Sequence, residues 1–365
     1  MSGVHAHIAD AIKAPDLVRL GLNLYVARFE TMKVYSTLVA VERLLASGRI
    51  QPGATLIDSS SGIYAYALAL ACHKFGLRCR IVGSKTVDQT LMVQLRILGA
   101  TVEQVEPQAT LKLDQSLRVA RIHELLAADP GLHWMQQYHD DIHYHGYAPV
   151  AETLAASLGC AGLSVVGGIG SGCSTGGLAQ ALRERDASVE LIGVQPFGSL
   201  TFGCQHLEDP GIIIAGIGSS IPFRNVRHAL YDQVHWVSFD YGLAGSVALL
   251  REHAVFAGLS SGCCYLVAAR EAALRPERNI LFVAADTGHR YVDGVFAQYR
   301  DALDPSALAP KTIESLDELA LPWSVMAWRR REYSPIEGAP VESATIDRIP
   351  TEMSAPAMAA PSPLV

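Results

Sequence analysis

Leu163-Ser164-Val165-Val166-Gly167-Gly168-Ile169-Gly170-Ser171-Gly172-Cys173-Ser174-Thr175 is the stretch on which the fold turns. Residues 163–167 read as a short buried strand, the glycines as a tight turn, and Thr175 to Arg185 as a helix. A strand, a glycine-dense turn and a helix start bring backbone N–H groups to bear on an anion, and a phosphate cradle is built this way. The turn lacks the lysine of GxxxxGK[ST], matches GxGxxG poorly, and has no acidic residue placed for a ribose. It therefore predicts a phosphate held without nucleotide machinery; the plain alternative is a tight βα turn with no ligand.

The same rhythm extends to both sides. Upstream, helical spacing of Val34, Leu38, Val41 and Leu45 ends at Gly48, and strands follow at 54–58, 77–82 and 101–105. Helices alternate with them, from the Ser-Ser-Ser-Gly turn at 59–62 to His73, from Asp88 to Leu98, and from Leu111 to Ala127. Downstream come a helix at 148–158, a strand at 189–194 and further units closing on a strand at 279–284. Alternation of this kind predicts parallel sheets covered on both faces, with chemistry in loops at the carboxyl ends of the strands. Two such sets meet near residue 145, so two α/β domains with a cleft between them are expected.

Composition sets the outer limits. With 365 residues, half of them hydrophobic and 18% charged, the chain can bury the cores of two domains. A formal charge of −7 argues against a nucleic-acid binder. Seven cysteines, odd in number and without a CxxC pair, read as reduced thiols of a cytoplasmic protein. The N-terminus has no uninterrupted apolar run for a secretory signal, and no window of about 20 residues suits a bilayer. From about Tyr333 the chain is rich in Pro, Ala, Ser and Glu, a composition expected to be disordered.

Three further features gain meaning only together. Ser59-Ser60-Ser61-Gly62 opens one helix and Gly258-Leu259-Ser260-Ser261-Gly262 another; each is by itself a capping signal. Lys33 stands at the start of a helix, where a lysine is ordinarily a solvated charge. The order and spacing of these with the glycine loop resemble the cysteine synthase (O-acetylserine sulfhydrylase) family of fold-type II pyridoxal-phosphate (PLP) enzymes. That family also includes cystathionine β-synthase and the siderophore enzymes that make a 2,3-diaminopropionate precursor. The resemblance runs from about Asn23 to about Tyr291, with Asn23-Leu24-Tyr25-Val26 as the opening strand and register kept to Gln51-Pro52-Gly53.

The resemblance implies two open, largely parallel three-layer domains of the tryptophan-synthase-β type. It divides the chain into 1–45 as the start of the larger PLP domain, 46–147 as a smaller mobile domain, 148–332 as the rest of the larger one, and a tail. It assigns Lys33 to the Schiff base with PLP, Gly170, Ser171, Gly172, Cys173 and Ser174 to the cofactor phosphate, and Ser260 to the pyridine nitrogen. Ser60, Ser61, Gly62, Ile63, Tyr64 and Gln137 fall on the substrate-carboxylate side, with Gly218 in a glycine turn nearby and Asp286 to Tyr291 as the closing motif. A homodimer is implied as well.

Departures lie on the substrate side. Ile63 replaces an asparagine whose amide contacts the cofactor, Tyr64 replaces a threonine, and Phe29-Glu30-Thr31-Met32 precedes the lysine in place of Pro-Thr-Gly-Ser. The resemblance thus implies β-elimination and β-replacement on an O-acetyl- or O-phospho-L-serine through an aminoacrylate, with sulfide or an amine as nucleophile. Phe197-Gly198-Ser199-Leu200-Thr201-Phe202-Gly203 leans toward the diaminopropionate branch. The alternatives are a serine/threonine dehydratase-like deaminase and a non-catalytic binding protein. Residues 139–145, rich in His and Asp, read as a mobile polar loop over the cleft rather than a metal site. Trp328-Arg329-Arg330-Arg331 reads as a solvated helix face or an oligomer contact.

Overall fold

The computed structural model describes residues 4–12, 14–85, 87–106, 114–211 and 216–335. Strands β3 (Thr55–Ser59), β4 (Arg78–Ser84), β5 (Thr101–Val105) and β6 (Leu132–Trp134) form a wholly parallel sheet in the order β5-β4-β3-β6. Alternate strand residues serve opposite faces. Ile57 and Val82 bury against Ile122 and Leu125 of helix α5 (Asp114–Ala128), while Leu56 and Ile81 join the core beneath α3 (Ile63–Phe75). Helix α3 is apolar on nearly every side, as a helix enclosed by other elements must be. Helix α4 (Gln89–Ile97) completes that layer.

The larger sheet has β2 (Leu24–Arg28), β10 (Asn279–Ala284), β7 (Leu163–Gly168), β8 (Glu190–Pro196) and β9 (Gln233–Val237) as its parallel centre. Its edges are antiparallel additions that the helix–strand rhythm did not anticipate. Strand β1 (Asp16–Arg19) pairs with β2, and β12 (Trp323–Ala327) pairs with β9 and carries the short β11 (Lys311–Thr312). One face packs on α8 (Phe239–His253) and α9 (Leu259–Leu274), and the other on α2 (Lys33–Ala46), α6 (Ala148–Leu158) and α7 (Cys173–Arg183). Both sheets are therefore the middle layer of three, as the sequence predicts. The small helix α1 (Ile8–Ala11) rests on α3.

Helix α2 places the lysine. Val34, Leu38, Val41 and Leu44 recur on one buried face, each such side chain contributing about 1.5–3 kcal/mol on leaving water. The helix ends where Gly48 takes up φ 71°. Three sequence expectations are corrected here. Residues 141–147 form a buried 3-10 turn rather than a mobile loop, because the backbone of α2 needs cover: a Cβ on Gly146 would stand 2.3 Å from the Tyr35 carbonyl oxygen. His143 within it is 1% exposed. Trp328 is fully buried, in a turn after β12 rather than on a helix, while Arg329, Arg330 and Arg331 beside it are exposed. The disorder expected from about Tyr333 does not begin there, since Tyr333 packs edge-on against His228 and Trp328; the tail from 336 and positions 111–113 of the helix expected from Leu111 lie outside the described residues. Among the described residues no helix is long and apolar enough to cross a membrane.

Candidate active site

The carboxyl ends of both sheets meet, and the lysine is delivered there by the end of β2. Beyond that strand the backbone stays pinned to the chain leaving β10: Phe29 N donates to Ala284 O at 2.9 Å, Thr31 bridges Asp286, and Met32 N donates to Ala285 O at 2.8 Å. Lys33 then opens α2, and its Nζ donates to Ser171 Oγ at 2.9 Å. No carboxylate pairs with it among the described residues. Burial pushes the ammonium below its ordinary range, opposed by the nearby Cys173 thiol. An amine held in this way can be neutral and nucleophilic.

Ser171 belongs to the glycine loop, and α7 begins at Cys173, two residues earlier than the spacing predicts. Gly172 is the N-cap at φ 84° with no side chain capping the helix, so the first N–H groups of α7 are left for a ligand. No other residue fits, since a Cβ there would lie 2.3 Å from Asn225 O. Gly218 N donates to Ile169 O at 2.8 Å, which sets the turn 216–218 against the same loop. Ser260, in the first turn of α9, lies under Gly168, where a Cβ would meet its own Cβ at 3.8 Å. Lys33, residues 170–174, Gly218 and Ser260 are thus brought together.

The small sheet supplies the facing wall. Ser60 Oγ accepts from the N–H groups of Gly62 (3.2 Å) and Ala65 (3.1 Å), and Ser61 Oγ accepts from Ser84 N at 2.9 Å. Ile63 heads α3, partly exposed. Gln137 sits after β6, with its Nε2 donating to Ser59 O at 2.6 Å and its backbone N to Asp58 Oδ2 at 2.9 Å. The Cys173 thiol reaches Gln137 O at 3.8 Å and so joins the two walls. Tyr64 is turned beneath the loop, 3% exposed, with its ring edge-on to His143 at 5.6 Å. Burial, reinforced by the Asp58 charge, raises its phenol well above the usual range.

Several neighbours were given no individual role by the sequence reading. Asp58 is 1% exposed and accepts from Ser59 N, Trp134 Nε1 and Gln137 N. Burial nevertheless raises its carboxyl to about 6. Arg118, buried on α5, donates to Ser59 Oγ at 3.1 Å and faces Asp114 at 3.5 Å. The i,i+4 spacing of that pair is the only signal available in sequence, and it ordinarily marks a solvated helix face. Arg290 of the closing motif reaches Ser61 O at 3.4 Å from the opposite wall. His143 is kept neutral, its burial lowering it to about 4.

An uncapped helix N-terminus, a lysine amine with no carboxylate partner among the described residues and a serine hydroxyl on the third side fit PLP: dianion, aldehyde and ring nitrogen each find a partner of the right kind. The class these features define is the fold-type II PLP enzymes. Residues 24–286 match the family described as "Pyridoxal-phosphate dependent enzyme", and the chain belongs to it, as an enzyme of the cysteine synthase type. It is 33% identical to the N-(2-amino-2-carboxyethyl)-L-glutamate synthase of Ralstonia nicotianae over 264 residues, covering 70% of this chain and 75% of that one. The same synthase of Cupriavidus metallidurans is 34% identical over 267 residues, 70% of this chain and 76% of that one. In structure the chain resembles the O-acetylserine dependent cystathionine beta-synthase of Helicobacter pylori, with TM-score 0.72, 24% identity, and coverage of 80% and 98%.

Proposed function

We propose that this enzyme exchanges the β-substituent of an O-activated L-serine for the amino group of a second amino acid, with L-glutamate as the leading nucleophile. The observation that carries this reading is the match to two N-(2-amino-2-carboxyethyl)-L-glutamate synthases at over 30% identity. In the reaction the Cβ–O bond breaks and acetate or phosphate leaves. A C–N bond forms at Cβ, and the incoming amine gives up a proton.

PLP, when bound, supplies the electron sink that makes the substrate's Cα proton labile. Lys33 holds the cofactor and, once released, takes that proton on Nζ and later returns it. The N–H groups of 170–174 and the Ser171 hydroxyl hold the phosphate, and Ser260 offers a neutral hydroxyl to the ring nitrogen. Ser60, Ser61, Gly62 and Gln137 receive the substrate carboxylate, with Arg118 behind them as the nearest buried cation. Ile63 leaves one side of the cofactor apolar, and Tyr64 acts from beneath through Asp58. Residues 46–147 move as a smaller domain over 1–45 and 148–332, and the chain works as a cytoplasmic homodimer.

The test is product analysis by mass spectrometry. PLP-loaded protein is given O-phospho-L-serine or O-acetyl-L-serine with L-glutamate, with sulfide, or with neither. The glutamate adduct is expected as the main product. Cysteine alone would replace this reading with sulfide addition, and pyruvate alone with a dehydratase-like deaminase.

A further inference from the structure

We propose that Asn225 is a positioning residue that splints the substrate-side segment 137–140 to the start of α7, keeping both aligned on Lys33. The inference rests on the roles proposed above for Gln137 and the loop 170–174.

Asn225 is 1% exposed, and its side-chain NH2, backbone N and backbone O each bond across an element boundary. Its Nδ2 donates to Gln137 O at 3.1 Å and to Asp140 O at 2.9 Å. Its backbone N donates to Tyr138 O at 2.9 Å, and its backbone O accepts the Tyr144 hydroxyl at 2.5 Å. That same oxygen is the atom on which Gly172 packs. One residue therefore touches the substrate-side strand end, the buried 3-10 turn and the cofactor loop. Its neighbours brace it: Phe223 stacks on Tyr138 at 4.0 Å with the rings 4° from parallel, and Arg227 lies over the Tyr144 ring at 4.3 Å.

The chemistry calls for an amide of this length. Two carbonyl oxygens converge on one NH2 group, and both hydrogens are committed. Aspartate has the same shape but would turn an anionic oxygen, in place of Nδ2, onto both carbonyl oxygens in a buried site. Alanine would leave the carbonyls unpaired without adding repulsion. A residue that merely fills space would rank these replacements the other way round.

The experiment compares PLP-loaded wild type with Asn225→Asp, Asn225→Ala and Tyr144→Phe. PLP affinity is read by absorbance, KM and kcat with O-phospho-L-serine or O-acetyl-L-serine, and amide hydrogen exchange over 136–141 without substrate. The backbone contact to Gly172 survives each change, so PLP affinity is expected to hold. KM should rise about tenfold or more in Asn225→Asp and less in Asn225→Ala, with exchange over 136–141 faster in both. Tyr144→Phe, which removes one hydroxyl and is the mildest change, should raise KM about threefold. A wild-type KM in Asn225→Asp or in Tyr144→Phe overturns the proposal. So does Asn225→Ala being worse than Asn225→Asp, or PLP being lost together with substrate affinity. A wild type inert toward both serine esters would sink the proposed function instead, and the exchange and PLP readouts would still judge the splint.

Discussion

Lys33 shows what one residue can and cannot say. At a helix start it looks like any surface lysine, and only its register with Ser171 and Ser260 marks it out. The structure supplies what spacing could not, the 2.9 Å bond to Ser171 Oγ and the lack of a carboxylate partner among the described residues. Lys33→Ala is expected to abolish the visible absorbance of protein-bound PLP while leaving the fold intact by circular dichroism. Asp58 carries a pH prediction. Its folded pKa, about 6, lies above the ordinary 3.8, so between those values the folded protein keeps a proton that the unfolded chain has released. The contribution of Asp58 to stability is thus largest below pH 3.8, declines as pH rises to about 6, and is flat above; Asp286, also raised to about 6, behaves alike. Function runs the opposite way, since only the carboxylate accepts all three N–H groups. KM for the activated serine should rise as pH falls through about 6, and Asp58→Asn should show a high KM that no longer changes with pH. A pH-independent wild-type KM would contradict this. No sequence pattern could expose Asp58, because its role depends on Trp134 and Gln137, more than seventy positions away.

Elements were more legible than residues. Strand β5, helix α6 and strand β10 fall where their apolar patterns place them, because each is a regular segment bounded by glycine or polar turns. Legibility fails where tertiary packing overrides local polarity. Residues 139–147 contain three histidines and two aspartates, yet they fold under α2 because its backbone at Tyr35 and Ser36 must be covered. The antiparallel additions are invisible for a related reason: short strands at the margin of a sheet need little pattern of their own. Helix α7 gives the test at this scale. Gly172→Ala forces a Cβ into a left-handed backbone and against Asn225 O, and relief would require moving the helix N-terminus itself. The expected outcome is a PLP affinity at least ~100-fold weaker with a lowered melting temperature, both measured on the same preparation, since strain and clash together reach roughly 3 kcal/mol. Retention of wild-type affinity would mean that the cradle tolerates a shift that the geometry disallows.

At the scale of the whole molecule, the two walls are tied by few side chains. Gln115 of α5 accepts from Ser220 N at 2.7 Å and from the Ser220 hydroxyl at 3.0 Å, and Arg290 reaches Ser61 O. If the smaller sheet moves over the larger during turnover, these are bonds that must break and re-form. Gln115→Ala is expected to raise KM about three- to tenfold with PLP affinity unchanged, each lost bond being worth about 1 kcal/mol. Equal kinetics for the variant and the wild type would show the contact to be idle. The two-sheet plan was readable from the βα rhythm, but which loops face each other across the join was not, since that depends on how the sheets dock. The pairing of β2 with β10 has a consequence of another sort. These strands lie more than 250 positions apart in the chain, so during synthesis the segment that ends in Lys33 has only the short β1 beside it until β10 leaves the ribosome. The smaller sheet, complete by residue 134, can assemble long before. The site's lysine is made long before β10, the strand that sets it in place. A nascent chain stopped short of residue 279 should therefore protect the small sheet from protease while the lysine segment is still cut.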